Sequence, residues 1–258
     1  MLLAIDMGNT NITIGAFAGD NKVFVARLAT ERARTADQYA VELINIFKLY
    51  GIAPADFSGV IISSVVPELT AAIAEAAEKT AGFKPMLLSP GLKTGINILT
   101  DNPAQVGADL VAGAVAANAL YKLPCLVVDL GTATKISVID ENGAFCGCTI
   151  GAGVAISLEA LAHRTSQLPN ISLTAPQNVI GKNTVDSMQA GTVYGAAAMI
   201  DGLCDRIEQE LGITAGTIVA TGGLASEIVK ACRHHVLYNG ELILEGLKII
   251  YQKNKRAK

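Results

Sequence analysis

Two short segments of the chain carry the residue types that hold phosphate oxygens. Asp6, Gly8, Asn9 and Thr10 stand within five positions, with Asn11 and Thr13 just after them. Asp129, Gly131, Thr132 and Thr134 repeat the arrangement 123 residues later. A nucleotide-phosphate site needs backbone N–H groups directed into a tight turn and small residues that let the anion approach. It also needs a carboxylate to hold a metal ion or its waters. Glycine is expected at positions 8 and 131 because it accepts positive φ and has no Cβ to block a ligand. The hydroxyls and the Asn amide would donate to phosphate oxygens. One Asp-x-Gly turn alone is an ordinary hairpin turn. Two of them, joined later by Thr221-Gly222-Gly223 at the end of a third apolar run, form a constellation that suits nucleotide binding.

The elements that must position these turns are legible from periodicity. Leu2–Ile5 is a short apolar run, and Asn11–Gly15 alternates polar and apolar as a half-buried strand does. The run Cys125–Val128 and the alternating Lys135–Val138 repeat that order. Two copies of one strand–turn–strand domain would produce such self-similarity. Thr35-x-x-Gln38 has capping-box spacing and opens a helix carrying Tyr39, Leu43, Ile46 and Tyr50, with Gly51 as its stop. Val60–Ile62 reads as a buried strand, and Pro67 begins a helix with Leu69, Ile73 and Ala77 that runs to Gly82. Ala108–Tyr121 is apolar almost all round, as a helix buried between layers is. Asn183 or Thr184 is placed to cap a long helix with Met188, Met199, Leu203, Ile207 and Leu211 inward. Gly191 and Gly195 on that helix would permit close backbone approach. Thr217–Ala220 is a further buried strand. The order implies two α/β domains, 1–122 and 123–258, with a boundary near Tyr121 to Pro124.

Composition excludes several classes. The 258 residues are 51% hydrophobic and only 17% charged, unlike a disordered chain. The formal net charge of −3 argues against a nucleic-acid surface. The basic run Lys253–Lys258 reads as a solvated helix end. The five cysteines are odd in number and scattered, and Cys146-Gly147-Cys148 lacks zinc or redox spacing. They read as reduced structural thiols. Met1 leads straight into a strand-like run, and no apolar stretch suits a bilayer span, so a cytoplasmic protein without membrane association is expected. His163 reads as part of a helix end and His234-His235 as part of a helix, none with metal-ligand spacing. There is no Gly-x-Ser-x-Gly elbow after Ser63-Ser64 and no P-loop motif.

Taken in order, the two turns and the Gly-Gly resemble the actin, sugar-kinase and heat-shock-chaperone ATPase superfamily. Within it, several strings resemble the type III pantothenate kinases. They are Asp6–Thr10, Asn102-Pro103-x-x-Val106-Gly107-Ala108-Asp109, Asp129–Thr134, Arg164-Thr165-x-x-Leu168-Pro169, Gly181–Thr184 and Thr221–Ala225. They span nearly the whole chain, and no single one carries the resemblance. It implies two duplicated ribonuclease-H-like domains with a nucleotide cleft between them. It implies that Asp6 to Thr13 wrap the ATP triphosphate and its Mg²⁺, that Thr132 touches ATP, and that Gly222 and Gly223 pass under the adenosine. Asp129 would hold a monovalent cation, K⁺ or NH₄⁺. Asp109, within the acceptor segment Gly107–Leu110, would take the proton from the primary hydroxyl of pantothenate. Thr184 would contact pantothenate across a homodimer interface. Asp109 also suits a plain structural role at the start of the following helix; the two roles are compatible.

The chain departs from the family pattern mainly on the acceptor side. Leu110 stands where the family has an Arg for the pantothenate carboxylate, and Thr100 where it has a Tyr. After Thr134 the family continues Thr-x-Asp, whereas this chain has Lys135-Ile136-Ser137; Ala152 replaces a Pro. A hydrogen bond to a charged group contributes roughly 1.5–3 kcal/mol, so losing the Arg would weaken carboxylate binding by about one to two orders of magnitude. Lys135 offers a point charge that cannot copy a bidentate grip, and it reads more simply as a solvated strand residue. Three readings stand at this point: a pantothenate kinase, a paralogue phosphorylating another alcohol, and a non-catalytic nucleotide-binding regulator. Retention of Asp109 favours the first two, whereas loss of the Arg at Leu110 and of the Tyr at Thr100 favours the last two.

Overall fold

The self-similarity in sequence is a duplication of topology. In a computed structural model describing residues 1–255, the first sheet contains β1 (Leu2–Met7), β2 (Asn11–Ala18), β3 (Asn21–Ala29), β4 (Gly59–Ser64) and β5 (Met86–Leu87). Its order is β3-β2-β1-β4-β5. The second sheet contains β6 (Cys125–Leu130), β7 (Ala133–Ile139), β8 (Phe145–Ala152), β9 (Thr217–Thr221) and β10 (Val236–Tyr238), in the order β8-β7-β6-β9-β10. In each, an antiparallel meander of three strands is extended by two parallel strands beside its first.

Helix α1 (Ala36–Leu49) begins at the expected capping box, where the Thr35 hydroxyl and the Gln38 side chain satisfy each other's backbone N–H groups. Tyr39, Leu43 and Ile46 are buried, while Tyr50 stacks on Phe24 with ring centroids 4.6 Å apart. Helix α2 (Pro67–Ala81) starts at Pro67 and ends at Gly82 in the left-handed conformation. Both cover the face of the first sheet that presents Leu3, Ile5 and Met7. The alternate residues Leu2 and Ala4 point to the opposite face, against α3 (Ala108–Leu120) and α7 (Leu242–Lys255). By contacts, the first compact unit comprises Met1–Ile96, Asn102–Ala116 and the chain from Leu242; the second comprises Asn97–Asp101 and Ala117–Glu241. The expected division was a single cut after residue 122, whereas here the chain returns to its first unit. Leu244, Leu247 and Ile250 form an apolar stripe on α7 that the first sheet buries. Arg256, Ala257 and Lys258 of the basic tail lie outside the described residues.

In the second unit, α4 (Val154–Arg164), α5 (Thr184–Leu211) and α6 (Ala225–Ile228) accompany the sheet. Asn183 caps α5 by accepting from the Asp186 N–H at 2.9 Å. The inner face of α5 is Val193, Ala197, Ile200 and Cys204. Of the residues expected inside, Met188 is buried and Leu203 and Ile207 pack against the core, whereas Met199 and Leu211 are exposed. Gly191 and Gly195 have open space beside them, so the expected close approach is absent there. His234 lies before β10 and outside any helix, contrary to expectation. Burial pushes the Cys125 and Cys204 thiols up to about 12, as suits structural cysteines. Among the described residues, no helix is long and apolar enough to cross a membrane.

Candidate active site

The first turn leaves β1 at Asp6 and is closed by the Gly8 N–H donating to the Asn11 carbonyl at 2.9 Å. Thr30, just past β3, fixes it from below. Its hydroxyl donates to the Gly8 carbonyl at 2.7 Å and its N–H to the Thr10 carbonyl at 2.9 Å. Asn9, Thr10 and Asn11 consequently stand exposed at the tip, while Asp6 and Thr13 are half-buried and opposite each other in strand register. On the other side of Asp6, in parallel register, is Ser63, whose buried hydroxyl has no hydrogen-bond partner among the described residues. One carboxylate with open amides and hydroxyls, and no soft ligand, fits nucleotide phosphates accompanied by a hard divalent ion such as Mg²⁺.

The second turn joins β6 to β7, with the Gly131 N–H donating to the Ala133 carbonyl at 3.2 Å. It is less exposed: Thr132 is half-buried, and Thr134 is buried with an unpartnered hydroxyl. Gly153 lies directly behind it, so that a Cβ there would fall 2.2 Å from the Thr132 carbonyl oxygen. The positive φ expected at Gly8 and Gly131 is found at neither. At Gly8 the reason for glycine is a tight approach, 3.1 Å from a Cβ position to the Asn11 oxygen. Positive φ does occur at Gly222 (99°), where a Cβ would also stand 2.5 Å from the Leu130 oxygen. Gly223, next to it, is exposed with nothing within 4 Å of a Cβ position, an open backbone that a flat ligand can approach.

Asp129 has a close cationic neighbour. Asp129 and Lys135 are direct cross-strand partners, and the Lys135 Nζ lies 2.7 Å from Asp129 Oδ2. Both side chains are only 14% exposed. Lys135 is thus not the solvated strand residue expected from sequence. A monovalent cation at the Asp129 carboxylate does not fit this arrangement, because an ammonium already stands at that carboxylate.

Asp109 sits in the first turn of α3, and its Oδ1 accepts from the Leu110 N–H at 2.8 Å. Gly107 makes room for it: a Cβ there would be 2.6 Å from that same oxygen. Gly107, Ala108, Asp109 and Leu110 are all half-buried, open on one side. The Thr100 hydroxyl is buried with no partner among the described residues. Thr184 is exposed at the start of α5 and lines a cavity of about 840 Å³ with Val154, Leu158, Leu161, Leu168 and Met188.

The comparisons with known proteins follow these features. The family described as type III pantothenate kinase matches residues 2–206. A curated type III pantothenate kinase from Exiguobacterium sp. (strain ATCC BAA-1283 / AT1b) is 41% identical over 256 residues, covering 99% of this chain and 100% of its own. The chain belongs to the type III pantothenate kinase family. Among solved structures, component A of the Acidaminococcus fermentans (R)-2-hydroxyglutaryl-CoA dehydratase aligns with a TM-score of 0.60. It has 16% identity, with 100% of this chain and 99% of that one covered. A ROK hexokinase from Thermus thermophilus aligns with a TM-score of 0.50 at 14% identity, covering 99% of each chain. These likenesses concern the fold, which is the duplicated α/β architecture of the actin and sugar-kinase kind.

For a type III pantothenate kinase, the residues that sequence reasoning missed are Thr30 and Gly153, which buttress the two turns. Thr30 gives no local signal, since its partners come from the preceding hairpin. Gly153 does, as the second glycine of Gly151-Ala152-Gly153. Asp205, Glu208 and His234 also gather, with His234 Nε2 2.7 Å from Asp205 Oδ1. The His234 hydrogen bond holds the Asp205 carboxyl below the usual carboxylate range. Asp205 is held by His234 and by Arg233, whose Nη2 lies 3.2 Å away, and Glu208 Oε1 accepts from the Ala215 N–H at 2.7 Å, so the cluster is accounted for by these bonds.

Proposed function

We propose that this type III pantothenate kinase family member transfers the γ-phosphoryl group of ATP to the primary hydroxyl of pantothenate. The observation that carries the reading is Asp109, a carboxylate at the open start of α3, in a chain that also holds both Asp-turn hairpins. In this reading Asp6, Gly8, Asn9, Thr10, Asn11 and Thr13 hold the triphosphate, with Asp6 also toward Mg²⁺. Gly131, Thr132 and Thr134 contribute to the same nucleotide, and Gly222 with Gly223 passes under the adenosine. Bound Mg²⁺ would neutralise charge on the phosphates. The Asp109 carboxylate orients the acceptor hydroxyl and takes its proton as that oxygen bonds to the γ-phosphorus. The bond from the γ-phosphorus to the bridging oxygen breaks, and ADP leaves. Gly107, Ala108 and Leu110 flank the acceptor, with Thr100 and Thr184 as its further contacts. No step runs through a monovalent cation.

The test is ADP release by purified protein with Mg²⁺ and ATP, with and without pantothenate. Pantothenate-dependent ADP is the expected result. Release stimulated only by an uncharged primary alcohol would replace this reading with the paralogue that Leu110 favours. ATP binding with no turnover on any acceptor would leave a nucleotide-binding regulator.

We further propose that a second copy of the chain covers the α4–α5 face. Ile156, Leu161, Val179, Ile180, Val185 and Met199 are exposed there, a density of apolar side chains that monomers rarely leave open. Thr184 at the rim would then reach the acceptor bound in the partner. Met199→Lys should convert a dimer to a monomer in light scattering; a wild-type protein that runs as a monomer sinks this assignment.

A further inference from the structure

The misfit between Asp129 and a bound monovalent cation has a specific chemical content. We propose that the Lys135 ammonium is a built-in substitute for that cation, so that nucleotide binding at the second turn needs neither K⁺ nor NH₄⁺. The proposal rests on reading that turn as part of the ATP site.

Strand register makes the pairing a fixed feature. Asp129 lies in a row across three strands, with Lys135 on β7 on one side and Thr221 on β9 on the other. Cross-strand partners in one row project from the same face of the sheet. The Lys135 Nζ is 2.7 Å from Asp129 Oδ2, and neither side chain exposes more than 14% of its surface. Exposed ion pairs are loose and screened; this one is held by backbone pairing and largely shielded from water. The first turn provides an internal contrast. There the residue opposite Asp6 in strand register is Thr13, which has no charge. Opposite Asp129 the chain supplies a cation of its own.

Electrostatics gives the pairing a purpose. A turn that receives phosphate cannot carry an uncompensated carboxylate beside it without repelling its ligand. An alkylammonium has the charge of K⁺ and is the tethered counterpart of NH₄⁺, donating N–H groups to the carboxylate. Being covalently attached, it does not have to be captured from solution, so its occupancy does not depend on the salt present. An ion at the same carboxylate would displace the lysine or be excluded by it.

The experiment measures Mg-ATP binding by calorimetry in KCl, NH₄Cl and tetramethylammonium chloride at equal ionic strength, with no acceptor present. Wild-type affinity should agree within about twofold across the three salts. Lys135→Ala removes the charge and leaves room. Its affinity in tetramethylammonium should fall by at least about tenfold and recover in KCl or NH₄Cl. Lys135→Met keeps the apolar stem, so its affinity should stay low in all three salts. Unfolding midpoints without nucleotide give an independent reading: KCl should raise that of Lys135→Ala and leave the wild type unchanged. Wild-type affinity or midpoint that rises in KCl over tetramethylammonium would overturn the proposal, as would a Lys135→Ala protein indifferent to the salt. If no salt supports nucleotide binding, the ATP-site reading fails, and the midpoints still decide whether Lys135 stands in for a cation.

Discussion

Asp109→Asn protein should release ADP in response to pantothenate at least about 100-fold more slowly than wild type, while binding ATP equally well. The amide has the shape of the carboxylate, and its oxygen can still accept from the Leu110 N–H as Asp109 Oδ1 does at 2.8 Å. The start of α3 is therefore kept. What is lost is the negative charge that, in the proposed reaction, orients the hydroxyl and takes its proton. The competing, purely structural role of Asp109 at a helix start is worth typically 0.3–1 kcal/mol through the helix dipole, roughly a few degrees of midpoint. Magnitude thus separates the two roles. A small fall in stability with activity within a few-fold of wild type would leave Asp109 as a helix-start residue only.

The second large effect is expected far from the chemistry. In Gly246→Ala, the added Cβ would stand 1.9 Å from the Ala112 carbonyl oxygen and 2.6 Å from its carbonyl carbon. Both are backbone atoms of α3, so no side-chain rotation relieves the contact. Alanine improves on glycine in a helix by about 1 kcal/mol. Overpacking costs typically 1–3 kcal/mol, occasionally more, and this contact lies at the severe end. α7 must move off α3 and loosen the burial of Leu244, Leu247 and Ile250. The net loss should be about 2 kcal/mol or more, read as a lower urea midpoint. An unchanged or higher midpoint would mean that α7 does not lie against α3 as described.

Features fixed by neighbours in sequence were legible in it. The capping box at Thr35 and Gln38, the Pro67 start and the Gly82 stop need only a few adjacent residues. The two hairpins announced themselves because each strand keeps its own alternation on either side of the Asp turn. The return of α7 to the first unit was not legible, since an amphipathic stripe names no partner sheet. On α5 the inward positions of Met188, Leu203 and Ile207 were legible, whereas Met199 and Leu211 are exposed because Ala197, Ile200 and Cys204 take the inner line beside them. In the candidate site, the Asp6 turn and the Gly222-Gly223 pair could be singled out by residue type and spacing, whereas Asp109 was singled out only through the family resemblance. Lys135 was visible but its role was not: six positions separate it from Asp129, and only the register of β6 and β7 turns that interval into a contact.

The course of α7 also sets an order of events during synthesis. The face of the first sheet formed by Leu2, Ala4, Phe17 and Ile61 is completed by residues that emerge only after all of the second sheet has been made. At the usual 5–20 residues per second, the interval between the end of α3 and the arrival of α7 is on the order of ten seconds. Throughout it, a nascent first half displays an unfinished apolar surface to the ribosome exit and to passing chaperones. A fragment ending after α3 would carry the same exposed surface permanently. The two halves, alike in topology, are therefore unlike in autonomy: the first is completed only by α7, which follows the whole of the second sheet.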